Sequence, residues 1–241
     1  MRVLLLGGTA EARRLAPMLR DAGHDITASL AGVTGSPEDY GVPTRRGGFG
    51  GPDGLIQWLR EHRIDALIDA THPFADRMPH HAATAAEALS LPRLRLLRPG
   101  WPLEPGWQEF QTLADAVAAI PAGARVLATT GQDLLAPYAA RPDLEVWLRT
   151  IEDPGPLPGH MKALLARPPF TLDEEQALLA RHRITHLTTK NSGGARAKLD
   201  AAKDAKVAVH IVARPASPPG PVAEDVGAAV AWLTETVASG T

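Results

Sequence analysis

The sequence predicts an α/β protein made of two Rossmann-like, doubly wound parallel-sheet domains. Short apolar runs alternate with amphipathic stretches in a β-α-β-α-β-α-β rhythm. A segment rich in Pro and Gly, Arg98 to Trp107, interrupts that rhythm, which then restarts. Hydroxyls, glycines, a His and a Lys recur where apolar runs give way to helical patterns, the position at which open α/β sheets bind ligands.

Arg2 to Leu6 reads as a buried strand ending in Gly7-Gly8. Glu11 to Ala22 has helical spacing, with Leu15, Met18 and Leu19 on one face and Gly23 as a stop. Asp25 to Leu30 reads as a strand, Ala31 to Pro52 as a loop, and Asp53 to Arg63 as a helix. Ile64 to Ile68 is a strand, the pattern after Pro73 is helical to Leu89, and Leu94 to Leu97 is a strand. After the connector, helices are expected at Leu113 to Ile120, Leu134 to Ala140, from Thr171, at Ala195 to Lys206 and at Glu224 to Val237. Strands are expected at Arg125 to Ala128, Leu144 to Leu148, Ile184 to Leu187 and Val207 to Val212. Thr171 and Glu174 have the spacing of a capping box. The expected domains are therefore residues 1–101 and 102–241.

The 241 residues carry a net charge of -2, without a basic arm or patch, so no nucleic-acid partner is expected. Cysteine is absent, which removes disulfides, thiolate metal sites and cysteine nucleophiles, and fits a reducing cytoplasm. The apolar run at Met1 to Gly7 is too short for a signal peptide, and no stretch is long enough to span a bilayer. The expected location is the cytoplasm. His-Glu-x-x-His, a P-loop and Gly-x-Ser-x-Gly are missing, and the adjacent His80 and His81 cannot share a helix face, so no metal site is expected. Neither Tyr40 nor Tyr138 has Lys four positions later, against a short-chain dehydrogenase pair.

Several segments carry candidate chemistry. Gly7-Gly8-Thr9-Ala10-Glu11 joins the first strand to the first helix, where glycines let backbone approach a phosphate. Gly-x-Gly-x-x-Gly is not complete, and a tight turn without a ligand is the alternative. The second strand ends at Ser29 without a carboxylate, which is permissive for the 2′-phosphate of NADP. Arg45 and Arg46, in the following loop, can supply charge; the alternative is that both are solvated. Gly47-Gly48-Phe49-Gly50-Gly51 reads as a flap over a flat ligand, or as a loop whose Phe49 fills a core gap.

Asp69-Ala70-Thr71-His72-Pro73-Phe74 follows another strand. Its bland reading is a turn with Thr71 as a helix cap and Pro73 at the first helical position. Thr129-Thr130-Gly131 and Thr188 to Gly194 lie at further strand ends. The second is followed by Arg196 and Lys198, a composition suited to an anionic ligand. Lys190 is read as a site residue, and Lys203 as part of an exposed face.

Taken in order, Leu5 to Glu11, Arg46 to Leu55, Asp69 to Ala75, Thr129 to Gly131, Leu148 to Thr150, Thr189 to Gly194 and Val209 to Pro215 resemble the precorrin-6A reductase family of the corrin pathway to cobalamin. The resemblance runs over most of the chain. It implies two Rossmann-like domains with a cleft between them, and transfer of a hydride from a nicotinamide to a macrocyclic double bond of precorrin-6A, giving its dihydro form, precorrin-6B; the end of the second strand makes NADPH the expected cofactor. A tetrapyrrole substrate follows from it, with no membrane partner.

With that resemblance the candidates sort into roles. Gly7, Gly8, Thr9, Glu11, Ser29, Arg45, Arg46, Gly48, Phe49, Thr71, Thr130 and Gly131 would hold the cofactor. Phe74, Arg149, Asn191, Ser192, Gly193 and Lys198 would hold the substrate, and His72 and Lys190 would act in catalysis. Thr71, His72 and Phe74 are expected to line the cleft. The proton donor stays open among His72, Lys190 and water. Two alternatives also stay open, a reductase acting on the cobalt-containing precorrin and a non-catalytic NADP-binding sensor.

Overall fold

The computed structural model describes residues 1–31, 39–131 and 134–239. Of the loop expected from Ala31 to Pro52, residues 32–38 lie outside that description. The chain divides into two compact units. One comprises Met1–Pro99 with Pro215–Thr241, and the other Gly100–Arg214. The boundary expected at residue 101 falls close to this division, but residues 215–241 return to the first unit instead of staying with the second.

The first unit holds β1 (Arg2–Leu6), α1 (Ala10–Asp21), β2 (Asp25–Leu30), β3 (Thr44–Arg46), α2 (Pro52–Glu61), β4 (Ala66–Asp69), α3 (Arg77–Leu89) and β5 (Arg93–Leu96). The second unit holds β6 (Trp107–Phe110), α4 (Leu113–Ala118), β7 (Arg125–Thr129), α5 (Ala136–Ala139), β8 (Glu145–Thr150), β9 (Met161–Leu165), α6 (Leu172–Arg181), β10 (His186–Lys190), α7 (Ala197–Asp204) and β11 (Ala208–Val212). β12 (Val222–Ala223) and α8 (Val226–Ser239) belong to the returning segment.

Each unit is one six-stranded sheet, ordered β12-β5-β4-β1-β2-β3 in the first and β6-β11-β10-β7-β8-β9 in the second. Every strand pair is parallel. The central strands are near-continuous aliphatic runs because both faces of a parallel sheet are covered. In the first sheet alternate residues separate cleanly. Val3 and Leu5 pack with α1 and α8 through Leu15, Leu19, Ala229 and Leu233. Leu4 and Leu6 pack with α2 and α3 through Leu55, Leu59, Ala82 and Ala85. In the second sheet Leu127, Leu187, Val209 and Ile211 meet α6 and α7.

Caps set the helix starts. The Thr9 side chain accepts from Ala12 N–H, Thr112 accepts from Asp115 N–H, and Thr171 with Glu174 forms the expected capping box. β3, β6, β9 and β12 were not expected from the sequence, and all four lie at sheet edges. An edge strand needs no continuous apolar run, and Thr44-Arg45-Arg46 and Trp107-Gln108-Glu109-Phe110 lack one.

Candidate functional site

In the first unit the chain leaves β1 through α1 toward β2 on one side, and later leaves β4 through α3 toward β5 on the other. The turns after β1 and β4 therefore border the point where the winding reverses, which is where such sheets bind ligands. A hydrogen bond ties the two turns together. Thr9 Oγ1 caps α1 and donates to Ala70 O at 2.9 Å.

Gly7 and Gly8 occupy the first turn. A Cβ on Gly7 would lie 2.9 Å from the Tyr40 hydroxyl and 3.0 Å from a Leu30 methyl, so only glycine fits there. Gly8 has φ of 123°, a conformation that favours glycine. Its N–H donates to the Tyr40 hydroxyl at 2.9 Å. Burial pushes the Tyr40 phenol above its ordinary pKa, opposed by this backbone bond and by Arg13. Tyr40 was missed from the sequence because nothing local links it to Gly8. Glu11, expected beside the cofactor, pairs with Arg98 at 2.8 Å.

At the end of β2, Ser29 stands in register with Arg45 on β3. Arg45 Nη1 donates to Ser29 Oγ at 2.8 Å and to Gly47 O at 3.0 Å, and Nη2 donates to Gly48 O at 3.1 Å. These partners are all neutral, and burial lowers the Arg45 pKa. Arg46 is the next residue of the strand, so it points to the opposite face, and it is exposed. Only one of the two candidate arginines thus shares a face with Ser29. Phe49 does not form a flap. Its ring lies under the Arg45 guanidinium, 3.9 Å away, meets Trp58 edge-on at 5.7 Å, and packs against the core beside α2. Gly48 contributes its carbonyl to Arg45.

The Asp69 to Ala75 turn departs from its bland reading. The helix starts at Arg77, not at Pro73, and Thr71 caps nothing. The Thr71 N–H and hydroxyl both donate to Asp69 Oδ1, at 3.1 and 2.7 Å. His72 is exposed, and its Nδ1 accepts from Phe74 N–H at 3.1 Å. A neutral His72 accepting at Nδ1 carries its proton on Nε2. The half-buried Phe74 ring lies 6.1 Å from the His72 ring.

The second unit repeats the arrangement. Winding reverses between β7 and β10, whose ends carry Thr129-Thr130-Gly131 and Lys190 to Gly194. A Cβ on Gly131 would lie 3.9 Å from Lys190 Nζ, which places the ammonium beside that turn. Thr130 is buried and shares a hydrogen bond of 3.2 Å with the Tyr138 hydroxyl, which also meets Thr188 at 2.5 Å. Burial pushes the Tyr138 phenol up to about 12. Thr130 therefore supports the turn from beneath.

Asn191 is also internal. It accepts Trp101 N–H at 2.7 Å and donates to Trp101 O at 3.1 Å. Ser192 is half-buried, Gly193 has φ of 69°, and Lys198 lies 5.0 Å from the Trp101 ring. Arg149, expected to hold a substrate carboxylate, instead donates to both oxygens of Glu175 at 2.8 Å and stacks over Phe170. These side chains are 8% and 3% exposed. Among the described residues no group of three or more His, Asp or Glu side chains is placed to hold a metal ion, and no helix is long and apolar enough to cross a membrane.

Two doubly wound parallel sheets, each gathering glycines, hydroxyls and a cation at its reversal point, define an α/β protein of the Rossmann-like class. The family model described as "Precorrin-6x reductase CbiJ/CobK" matches residues 2–234, and the chain belongs to that family. A precorrin-6A reductase of Rhodococcus erythropolis is 42% identical over 240 residues, covering 96% of this chain and 97% of that protein. A precorrin-6A reductase of Mycobacterium tuberculosis is 44% identical over 248 residues, covering 96% and 97%. The solved structure titled "CobK precorrin-6A reductase" superposes with a TM-score of 0.92 at 39% identity, covering 98% of this chain and 97% of that one. The chain is thus an oxidoreductase of cobalamin biosynthesis.

Proposed function

We propose that this protein reduces a carbon–carbon double bond of precorrin-6A, giving precorrin-6B, with NADPH as the reductant. The observation that carries the cofactor reading is the Ser29–Arg45 pair at the end of β2, a hydroxyl and a cation where an NAD site has a carboxylate. This donor set suits a ribose phosphate, and the glycine turn at the start of α1 suits a pyrophosphate. Gly7, Gly8, Thr9, Ser29 and Arg45 would hold the dinucleotide. A bound nicotinamide supplies the hydride.

The rest of the chemistry is binding, orientation and one proton. Precorrin-6A is rich in carboxylates, so a cation beside the Gly131 turn favours its binding, and Lys190 supplies one. Arg149 is a weaker candidate, because Glu175 already balances its charge. Reduction of the double bond also consumes a proton. His72 would donate as the imidazolium, with its Nδ1 contact to Phe74 N–H given up, and Lys190 is the second candidate donor.

The test is a spectroscopic assay of the whole chain with precorrin-6A and each reduced nicotinamide. Loss of reduced-nicotinamide absorbance together with a changed macrocycle spectrum is expected with NADPH. Absence of turnover with either nicotinamide would overturn the proposal, and equal efficiency with both would overturn the cofactor preference. Metal-free precorrin-6A is favoured over the cobalt form because the relatives at 42% and 44% identity carry that substrate in their names.

A further inference from the structure

We propose that the buried Asp69–Arg95 ion pair is a positioning device for the Thr71–His72 turn. Asp69 ends β4, and Arg95 is its register neighbour on β5. Their side chains are 0% and 3% exposed, and Arg95 Nη1 donates to Asp69 Oδ2. A buried ion pair is a poor stabiliser, because well-packed apolar residues of similar volume are often as good or better. The neighbouring positions Leu67, Ile68, Leu94 and Leu96 are aliphatic, so this sheet has no general need for charge. Among the described residues Arg95 Nε has no hydrogen-bond partner, and Arg93 stands close enough to feel the charges of both Asp69 and Arg95.

Asp69 has a second oxygen, and it is fully engaged. Oδ1 accepts both the backbone N–H and the hydroxyl of Thr71. The next residue is His72, whose carbonyl accepts Ala75 N–H at 2.7 Å and closes the turn. A line of contacts therefore runs from Arg95 through Asp69 and Thr71 to the His72 backbone. The Thr9 to Ala70 bond holds the same turn from the β1 side. Asp69 and Arg95 touch no reacting atom in this account. They act through Thr71 and His72, so the inference rests on the proposed site being correct.

The experiment compares two double variants of the whole chain, Asp69→Leu with Arg95→Met and Asp69→Asn with Arg95→Met. Both remove both charges of the pair, so neither leaves one of them buried without the other. Only the Asn variant keeps an acceptor oxygen for Thr71. Thermal midpoint, Thr71 amide hydrogen exchange, kcat and KM are read for each. The expected result is similar midpoints, with Thr71 exchange at least about tenfold faster in the Leu variant. Its kcat should fall about ten- to hundredfold with KM little changed, as for a misplaced reacting group. The Asn variant should recover most of kcat.

Equal kcat in the two double variants, or equal Thr71 exchange, would overturn the inference. If neither double variant folds, Thr71→Val removes the hydroxyl contact alone. Its kcat should fall, and an unchanged value would likewise overturn the inference. His72→Gln separates the two levels. Unchanged turnover there would defeat the site reading itself. A loss there with no difference between the double variants would defeat only the positioning role.

Discussion

Arg45 and Arg149 are arginines of two sheets with matching topology, Arg45 on the edge strand β3 and Arg149 on β8, one strand in from the edge, and the protein treats their charges differently. Each guanidinium stacks on a phenylalanine, Phe49 for Arg45 and Phe170 for Arg149. Arg149 has a carboxylate partner, Glu175 on α6, with both side chains nearly inaccessible. Arg45 has a hydroxyl and two carbonyls, which orient it and, among the described residues, leave it without a carboxylate partner. An arginine whose charge is balanced by a buried carboxylate contributes architecture. One oriented by neutral acceptors remains able to attract an anion. On the proposed function, phosphate recognition would fall to the first sheet and the second sheet's cation role to Lys190. The last residue of β4, Asp69, is opposed by Arg95 across the sheet, whereas the last residue of β10, Lys190, is opposed by Val212, which brings no charge.

The sharpest way to break this comparison is Arg149→Met. It strands the Glu175 carboxylate in the core and should cost about 3–5 kcal/mol of stability, measured by urea unfolding. Below its melting range the variant should keep the wild-type KM for the tetrapyrrole. An unchanged unfolding midpoint with a raised KM would instead make Arg149 a substrate residue. Arg45→Met is the converse case. Loss of a charge-assisted contact is worth about 1.5–3 kcal/mol, so NADPH binding should weaken roughly ten- to hundredfold, and NADH binding far less. Binding titrations with both nucleotides check this, and an equal loss for both would move the phosphate elsewhere.

Tyr40→Phe has a smaller expected effect. It removes the hydroxyl that satisfies Gly8 N–H, and about 1 kcal/mol of stability should go with it. Tryptophan-monitored unfolding gives that difference, and no change would mean that water satisfies the amide equally well.

The smallest expected effect belongs to His186, whose pKa is lowered from 6.5 by burial and by His210. The folded state resists protonating it, so the unfolded state binds more protons in this range. Stability should be level above pH 6.5 and decline as pH falls below that value. His186→Gln should flatten part of that decline, measured as thermal midpoint against pH, and an unaltered slope would assign it to another group.

How far the sequence could be read follows from where each residue's partners lie. Central strands such as Val3 to Leu6 and Val209 to Val212 announce themselves, because burial on both faces demands aliphatic residues. Edge strands carry no such demand, and with β3 unseen the register that brings Arg45 to Ser29 was invisible. Ser29 and the lack of an acid beside it were legible locally. Glu175 was not, because it follows Asp173 and Glu174 in the first turn of α6 and reads as one more exposed acid, although it is 2% exposed. Thr71, two residues before Pro73, reads as a helix cap. That its hydroxyl turns back to Asp69 depends on a carboxylate fixed from the neighbouring strand. Local chemistry was readable, and partnership across the sheet was not.

The return of residues 215–241 has a consequence for the order in which the protein is made. The core around α1 includes Ala223, Val226, Ala229 and Leu233, which leave the ribosome after the whole of Gly100–Arg214. The unit containing α1 is therefore completed after Gly100–Arg214, which has all its strands available earlier. During synthesis the apolar face of Leu15 and Leu19 must wait uncovered on its α8 side while an entire second unit is translated, a long exposure for the part of the molecule that carries the glycine turn.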